Sequence, residues 1–160
     1  MRRERKMEKG SVPFDLSFLC QVVSPWTREE ELLRLREAAG CGRVSWDAVA
    51  VLANRSNLAP ALRAGLRSRR LWPYAPVELR AYLDEIYRFN EARNKHLLQD
   101  LVEVVRLLNA AGIVPMPLKG AATLATGFFA DPAVRFMWDM DVLVPAGKLR
   151  HAVGALEEEE

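Results

Sequence analysis

The chain has 160 residues, half of them hydrophobic and 28% charged, which fits a soluble globular protein with a real core. That length suits one domain, or one domain and a small partner. A net charge of +2 is too weak to imply nucleic acid as the partner, so nucleic-acid binding stays open but unsupported.

Residues 1 to about 12 read as a disordered, charged start, opening MRRERKMEKG. A short helix is expected over Pro13 to Val23. Its segment PFDLSFLCQVV is broken by Asp15 and Ser17, so it makes no signal-like apolar core. No apolar run approaches the roughly 20 residues that span a bilayer. Cys20 and Cys41 lack the paired spacing of a zinc site, and read as idle thiols of a reducing cytoplasm.

Ser24-Pro25-Trp26-Thr27 reads as a turn. Thr27 is the expected N-cap of a helix with Glu29, Glu30 and Glu31 in its first turn, ended by Gly40-Cys41-Gly42. Ser45 caps the next helix, where Trp46, Val49, Ala50 and Ala53 recur at helical spacing. Asn54 to Leu58 is a break. Pro60 fits the first turn of a helix over Ala59 to Arg69. Arg63, Arg67, Arg69 and Arg70 cluster there, as a solvated helix end or, alternatively, a phosphate- or RNA-binding patch. Leu71 to Pro76 is a linker. A long helix is predicted from about Val77 to Ala111, apolar at both ends and polar in the middle at Arg88, Glu91, Arg93, Asn94 and Lys95.

At Gly112 the character changes. Val114 to Leu118 reads as a short strand, Ala121 to Phe129 as a helix, Asp131-Pro132 as a turn and Met137 to Val144 as the clearest strand. Lys148 to Glu160 reads as a final helix. The expected class is α+β: a disordered start at 1–12, a helical region at 13–111, and a partial mixed sheet with flanking helices at 112–160. Two strands are few for a stable sheet. Four glutamates at a helix C-terminus oppose its dipole. Both features lead to the expectation of a chain that stops early.

Asp139 and Asp141 stand two apart in an apolar, strand-like run. Strand alternation places them on one face, where repulsion and desolvation ask for a cation between them. Hard oxygen ligands favour Mg²⁺ or Mn²⁺, and phosphoryl or nucleotidyl transfer uses such clusters. A solvent-exposed acid pair at a strand end is the plainer alternative. Lys119-Gly120 follows a strand and opens a helix, where free backbone N–H groups and a lysine suit phosphate. Arg135 enters the acid-bearing strand, to hold a phosphate or acceptor or to pair with Asp131 or one of the acids. Trp138 reads as packing rather than base stacking, and His96 and His151 as non-catalytic.

PLKGAATLA followed by FFADPAVRFMWDMDVLVP resembles the uncharacterised bacterial nucleotidyltransferase family of the polymerase-beta-like superfamily. Trp46-Asp47, the helix near Pro60 and the long helix carrying Asn90 to Asn94 are similar too. The resemblance implies a nucleotidyltransferase fold, a nucleoside triphosphate as substrate, metal on Asp139 and Asp141, and Lys119 and Gly120 near the nucleotide phosphates. Two departures stand out. Gly120-Ala121 replaces the superfamily's usual Gly-Ser or Gly-Gly, and no later strand supplies a third carboxylate. The leading expectation is a metal-dependent transfer of a nucleoside monophosphate to an acceptor hydroxyl with release of pyrophosphate. The other is a truncated, non-catalytic helical protein that acts through partner binding. The acceptor, the nucleotide and the oligomeric state stay open.

Overall fold

The computed structural model describes residues 12–157. The disordered start expected at residues 1–12 lies outside them except for Val12, as do the last three glutamates. The expected α+β class holds: the chain is mostly helical with one small antiparallel sheet. It forms two compact units, one up to Tyr87 and one from Arg88.

The first unit is helical. It holds α1 (Val12–Val23), α2 (Glu29–Gly40), α3 (Trp46–Arg55), α4 (Ala59–Ser68), a 3-10 turn (Trp72–Tyr74) and the start of α5 (Val77–Ala110). Phe18, Leu19 and Val22 of α1 are buried with Val49, Ala53, Leu62, Leu66, Leu71 and Leu83. These positions repeat at three and four residues, so each helix turns one apolar stripe inward. Phe18 meets Trp46 edge to face, with ring centres 5.7 Å apart. Gly65 lets α4 press on the end of α1, because a Cβ there would strike the Val22 carbonyl.

Local caps follow side-chain chemistry. Ser45 accepts from the Ala48 N–H at 3.4 Å, as its position predicts. The buried Asp15 carboxylate accepts from the Ser45 N–H at 3.1 Å, tying α1 to the start of α3. Thr27 is not the cap of α2. Its hydroxyl donates back to the Gln21 carbonyl at 2.5 Å, and the helix begins one residue later. There the Glu31 carboxylate accepts from the Arg28 N–H at 2.9 Å. Arg63 and Arg67 do not form a free basic patch. Both pair with Asp84, at 2.6 and 3.3 Å, and each lies over an aromatic ring, Tyr87 and Trp72 respectively. Cys20 and Cys41 are exposed free thiols.

The second unit holds the rest of α5, then β1 (Met116–Leu118), α6 (Lys119–Ala125), β2 (Asp141–Leu143) and α7 (Leu149–Glu157). The strands pair antiparallel, with Met116 opposite Leu143, Pro117 opposite Val142 and Leu118 opposite Asp141. Leu108, Ile113 and Ala152 form the core, with Val104, Val142, Val144 and Leu156 against it. The strand expected over Met137 to Val144 is much shorter, and Asp139 precedes the ladder. Two causes are visible. The partner strand is only three residues long and contains Pro117, which has no N–H to donate. The Trp138 carbonyl is also engaged elsewhere, by the Arg93 side chain at 3.1 Å. The helix expected over Ala121 to Phe129 starts earlier, at Lys119, and ends at Ala125. Gly127 follows with φ +63, a conformation open to glycine that stops the helix.

Two outcomes test this packing. Gly65→Ala should gain up to about 1 kcal/mol in helix propensity, but overpacking against Val22 costs about 1–3 kcal/mol. Chemical denaturation should therefore show a net loss of stability. For Asp84, partial burial pushes the carboxyl pKa up, but the Arg63 hydrogen bond and the Arg63 and Arg67 charges outweigh it and hold the pKa below its usual value. A depressed carboxyl pKa contributes stability above the usual range, and that contribution is lost as pH falls through the folded value. Asp84→Asn should thus cost about 1 kcal/mol at neutral pH. The gap to wild type should close as pH is taken through and below about 4.

Candidate functional site

The segment that carries the candidate residues is held by side chains of α5. Asn90 and Asn94 lie one helical turn apart on the same face, and both are fully buried. The Asn90 amide donates to the carbonyls of Ala133 (2.7 Å) and Arg135 (2.9 Å). The Asn94 amide donates to those of Pro132 (2.6 Å) and Arg135 (2.8 Å). Asp131 completes the turn by accepting from the Ala133 N–H at 2.9 Å. Further along, the Arg93 guanidinium lies 5.0 Å from the Phe136 ring and 5.2 Å from the Trp138 ring. Those two rings meet edge to face. Carbonyls turned from solvent onto a helix need donors, and here the helix supplies them. Reading the sequence identified none of these three residues as site-forming. The available signal was a pair of asparagines four apart inside a helix, where asparagine is a poor helix former.

Lys119, Gly120, Asp141 and Arg135 come together at the junction of β1 and α6. Leu118 and Asp141 are opposite each other in the ladder, so Lys119, one residue on, lies beside Asp141. Its ammonium sits 3.1 Å from the Asp141 carboxylate. Lys119 adopts φ +47, in the left-handed region that side-chain-bearing residues seldom occupy. Gly120 is buried beneath Arg135 and Met137. A Cβ there would lie 3.0 Å from the Met137 sulfur and 3.3 Å from the Arg135 Nε. The need for glycine at this position is therefore one of space. Among the described residues no carboxylate pairs with the Arg135 guanidinium, so the expected alternatives of Asp131 or a strand acid do not hold it.

Asp139 does not share a ladder face with Asp141, because the ladder begins at Asp141. Asp139 is exposed, and among the described residues its carboxylate has no hydrogen-bond or ion-pair partner. Asp141 is about one-third exposed and already attracts one cation, the Lys119 ammonium. Among the described residues no three His, Cys, Asp or Glu side chains cluster as metal ligands. Trp138 is 70% exposed, with its ring against Phe136 and the Arg93 guanidinium. His96 and His151 are exposed on their helices. No helix among the described residues is long and apolar enough to cross a membrane.

The family model described as an uncharacterised nucleotidyltransferase matches residues 42–160, which include the whole junction. The chain belongs to that nucleotidyltransferase family. No curated protein and no solved structure matches the chain.

The asparagine pair makes a specific prediction. Asn90→Ala strands the Ala133 carbonyl, and Asn94→Ala strands that of Pro132. Asn90→Ala should cost about 1–3 kcal/mol, the penalty of an unsatisfied buried group, and Asn94→Ala, whose bonds are part-buried, about 0.5–1.5 kcal/mol. The double variant also removes both donors from the Arg135 carbonyl. Its loss in denaturant unfolding should exceed the sum of the two single losses.

Proposed function

We propose that the chain transfers a nucleoside monophosphate from a nucleoside triphosphate to an acceptor hydroxyl, releasing pyrophosphate, on a polymerase-beta-like core. The observation that supports this reading best is the Lys119–Asp141 ion pair at the strand–helix junction, with the exposed Asp139 two residues away. Asp139 and Asp141 hold Mg²⁺ or Mn²⁺. Two carboxylates suit such an ion, whose remaining positions are commonly filled by water and substrate phosphate oxygens. When bound, the ion neutralises charge on the reacting phosphate. Lys119 turns from Asp141 to a phosphate oxygen, and Arg135 supplies a second cation to the triphosphate. Gly120 keeps the backbone close beneath both.

Weak pairing supports this exchange of partners. Lys119 is 73% exposed and the Asp141 side chain 35% exposed. An ion pair so open to water is worth about 0–1 kcal/mol. Separating it therefore opposes the binding of metal and triphosphate only slightly.

A second reading, a non-catalytic protein that acts through a partner, draws on Met116 and Leu143. They face each other in the ladder and are 59% and 53% exposed. Turnover by this chain would eliminate it.

Calorimetry with each of the four ribonucleoside triphosphates, with and without Mg²⁺, tests the assignment. Wild type should bind at least one of them only when Mg²⁺ is present. The Asp139→Ala/Asp141→Ala variant should lose at least tenfold in affinity, and Lys119→Ala several-fold. Equal binding by wild type and the double variant contradicts the assignment.

A further inference from the structure

Asn90 and Asn94 hold the loop backbone as far as the Arg135 carbonyl, and the ladder takes over at Asp141. Asp139 lies between these two anchors. A third side chain of α5 reaches the backbone there. Arg93, next to Asn94 in the helix, donates from Nη2 to the Trp138 carbonyl at 3.1 Å. Its guanidinium lies 5.0 Å from the centre of the Phe136 ring and 5.2 Å from that of Trp138. Those rings stand 4.9 Å apart at 73°, and so form an angled cradle for one flat cation. One group thus holds both the ring and the carbonyl of Trp138.

The peptide plane carries this grip forward. The Trp138 carbonyl, the Asp139 N–H and the Asp139 Cα belong to one rigid plane. Holding that oxygen therefore restricts where the Asp139 Cα, and the carboxylate attached to it, can go. Asp141 takes its place separately, from its pairing with Leu118. The spacing of the two acids thus depends on Arg93 on one side and on the ladder on the other. A small divalent ion is strict about that spacing, since oxygen ligands sit about 2.0–2.1 Å from Mg²⁺.

We propose that Arg93 is the positioning residue of Asp139. It acts through the Trp138–Asp139 peptide and sets the affinity of the acid pair for a divalent cation. This role rests on the metal-dependent reading given above. Arginine suits it better than lysine, because a planar fork can lie against rings and donate to an oxygen at once, whereas an ammonium is a point charge.

Mn²⁺ binding to the full chain, followed by electron paramagnetic resonance, tests the role in wild type, Arg93→Ala and Arg93→Lys, with a thermal melt of each. Charge and positioning predict opposite signs. Removing a nearby positive charge by itself favours a bound cation, so a purely electrostatic Arg93 would give tighter Mn²⁺ binding in Arg93→Ala. Positioning gives weaker binding, by about 10-fold or more, as for other outer partners of metal ligands. Arg93→Lys keeps the charge but not the flat plate, and should weaken binding by less. In the metal-free chain, NMR order parameters of the Asp139 and Met140 amides should fall in Arg93→Ala, while those of residues 141–143 hold. Mn²⁺ affinity equal to or above wild type in a folded Arg93→Ala variant, or unchanged order at Asp139, overturns the role and leaves the metal site standing. Wild type that takes up no Mn²⁺ instead overturns the metal reading, and the role of Arg93 with it.

Discussion

The placement of the site depends on the demand of loop carbonyls for donors. Between α6 and β2 the chain runs through residues that form no ladder, yet the carbonyls of Pro132, Ala133 and Arg135 turn inward. An inward carbonyl without a donor costs about 1–3 kcal/mol. Asn90 and Asn94 answer three of them with two amides. Helix α5 is the rigid ruler for this, since residues four apart lie one above the other on one face. With the backbone fixed there, Arg135 and Met137 extend over Gly120, and the next residues lead to Asp139 and Asp141. An acid on a loop gains its position from such anchoring rather than from the loop itself.

Beside that fixed frame, the Lys119–Asp141 contact is weak. The left-handed backbone of Lys119 costs about 1–3 kcal/mol, and the exposed ion pair returns at most about 1 kcal/mol. The surrounding packing, not the pair, must hold this conformation. Gly120 packed beneath Met137 and the ladder contact of Leu118 with Asp141 are the parts able to do so. The junction thus presents the Lys119 ammonium and the Asp141 carboxylate in a held geometry with little direct attraction locking them together. Binding sites are often arranged this way, because a strong internal pair would compete with the ligand.

Much of this was legible from residue order. The helices of the first unit follow apolar spacing and capping residues, and α5 was read to within one residue of its end. Ser45 and Pro60 act as their positions predict. The Lys119, Gly120, Arg135 and Asp141 grouping was also legible, since strand, turn and helix signals sit in order around it. What was not legible is tertiary. Thr27 lost its cap role to a hydrogen bond with Gln21, six residues back. The strand expected from Met137 failed because its partner is short and Arg93, 45 residues away, holds the Trp138 carbonyl. Apolar alternation reports a buried segment, but it cannot report whether a neighbouring strand exists to pair with it. Asn90 and Asn94 looked like a polar stretch of helix because their partners lie about forty residues further on.

In the proposed function the Asp139–Asp141 segment and the Lys119–Gly120 turn form one cation site. Paramagnetic Mn²⁺ tests this directly, because it broadens NMR signals of nearby nuclei. In an amide spectrum of the full chain, substoichiometric Mn²⁺ should first erase the signals of residues 139–142, Lys119 and Gly120, and excess Mg²⁺ should restore them. Broadening that spares those residues, or that centres on acids elsewhere in the chain, would rule out a shared cation site there.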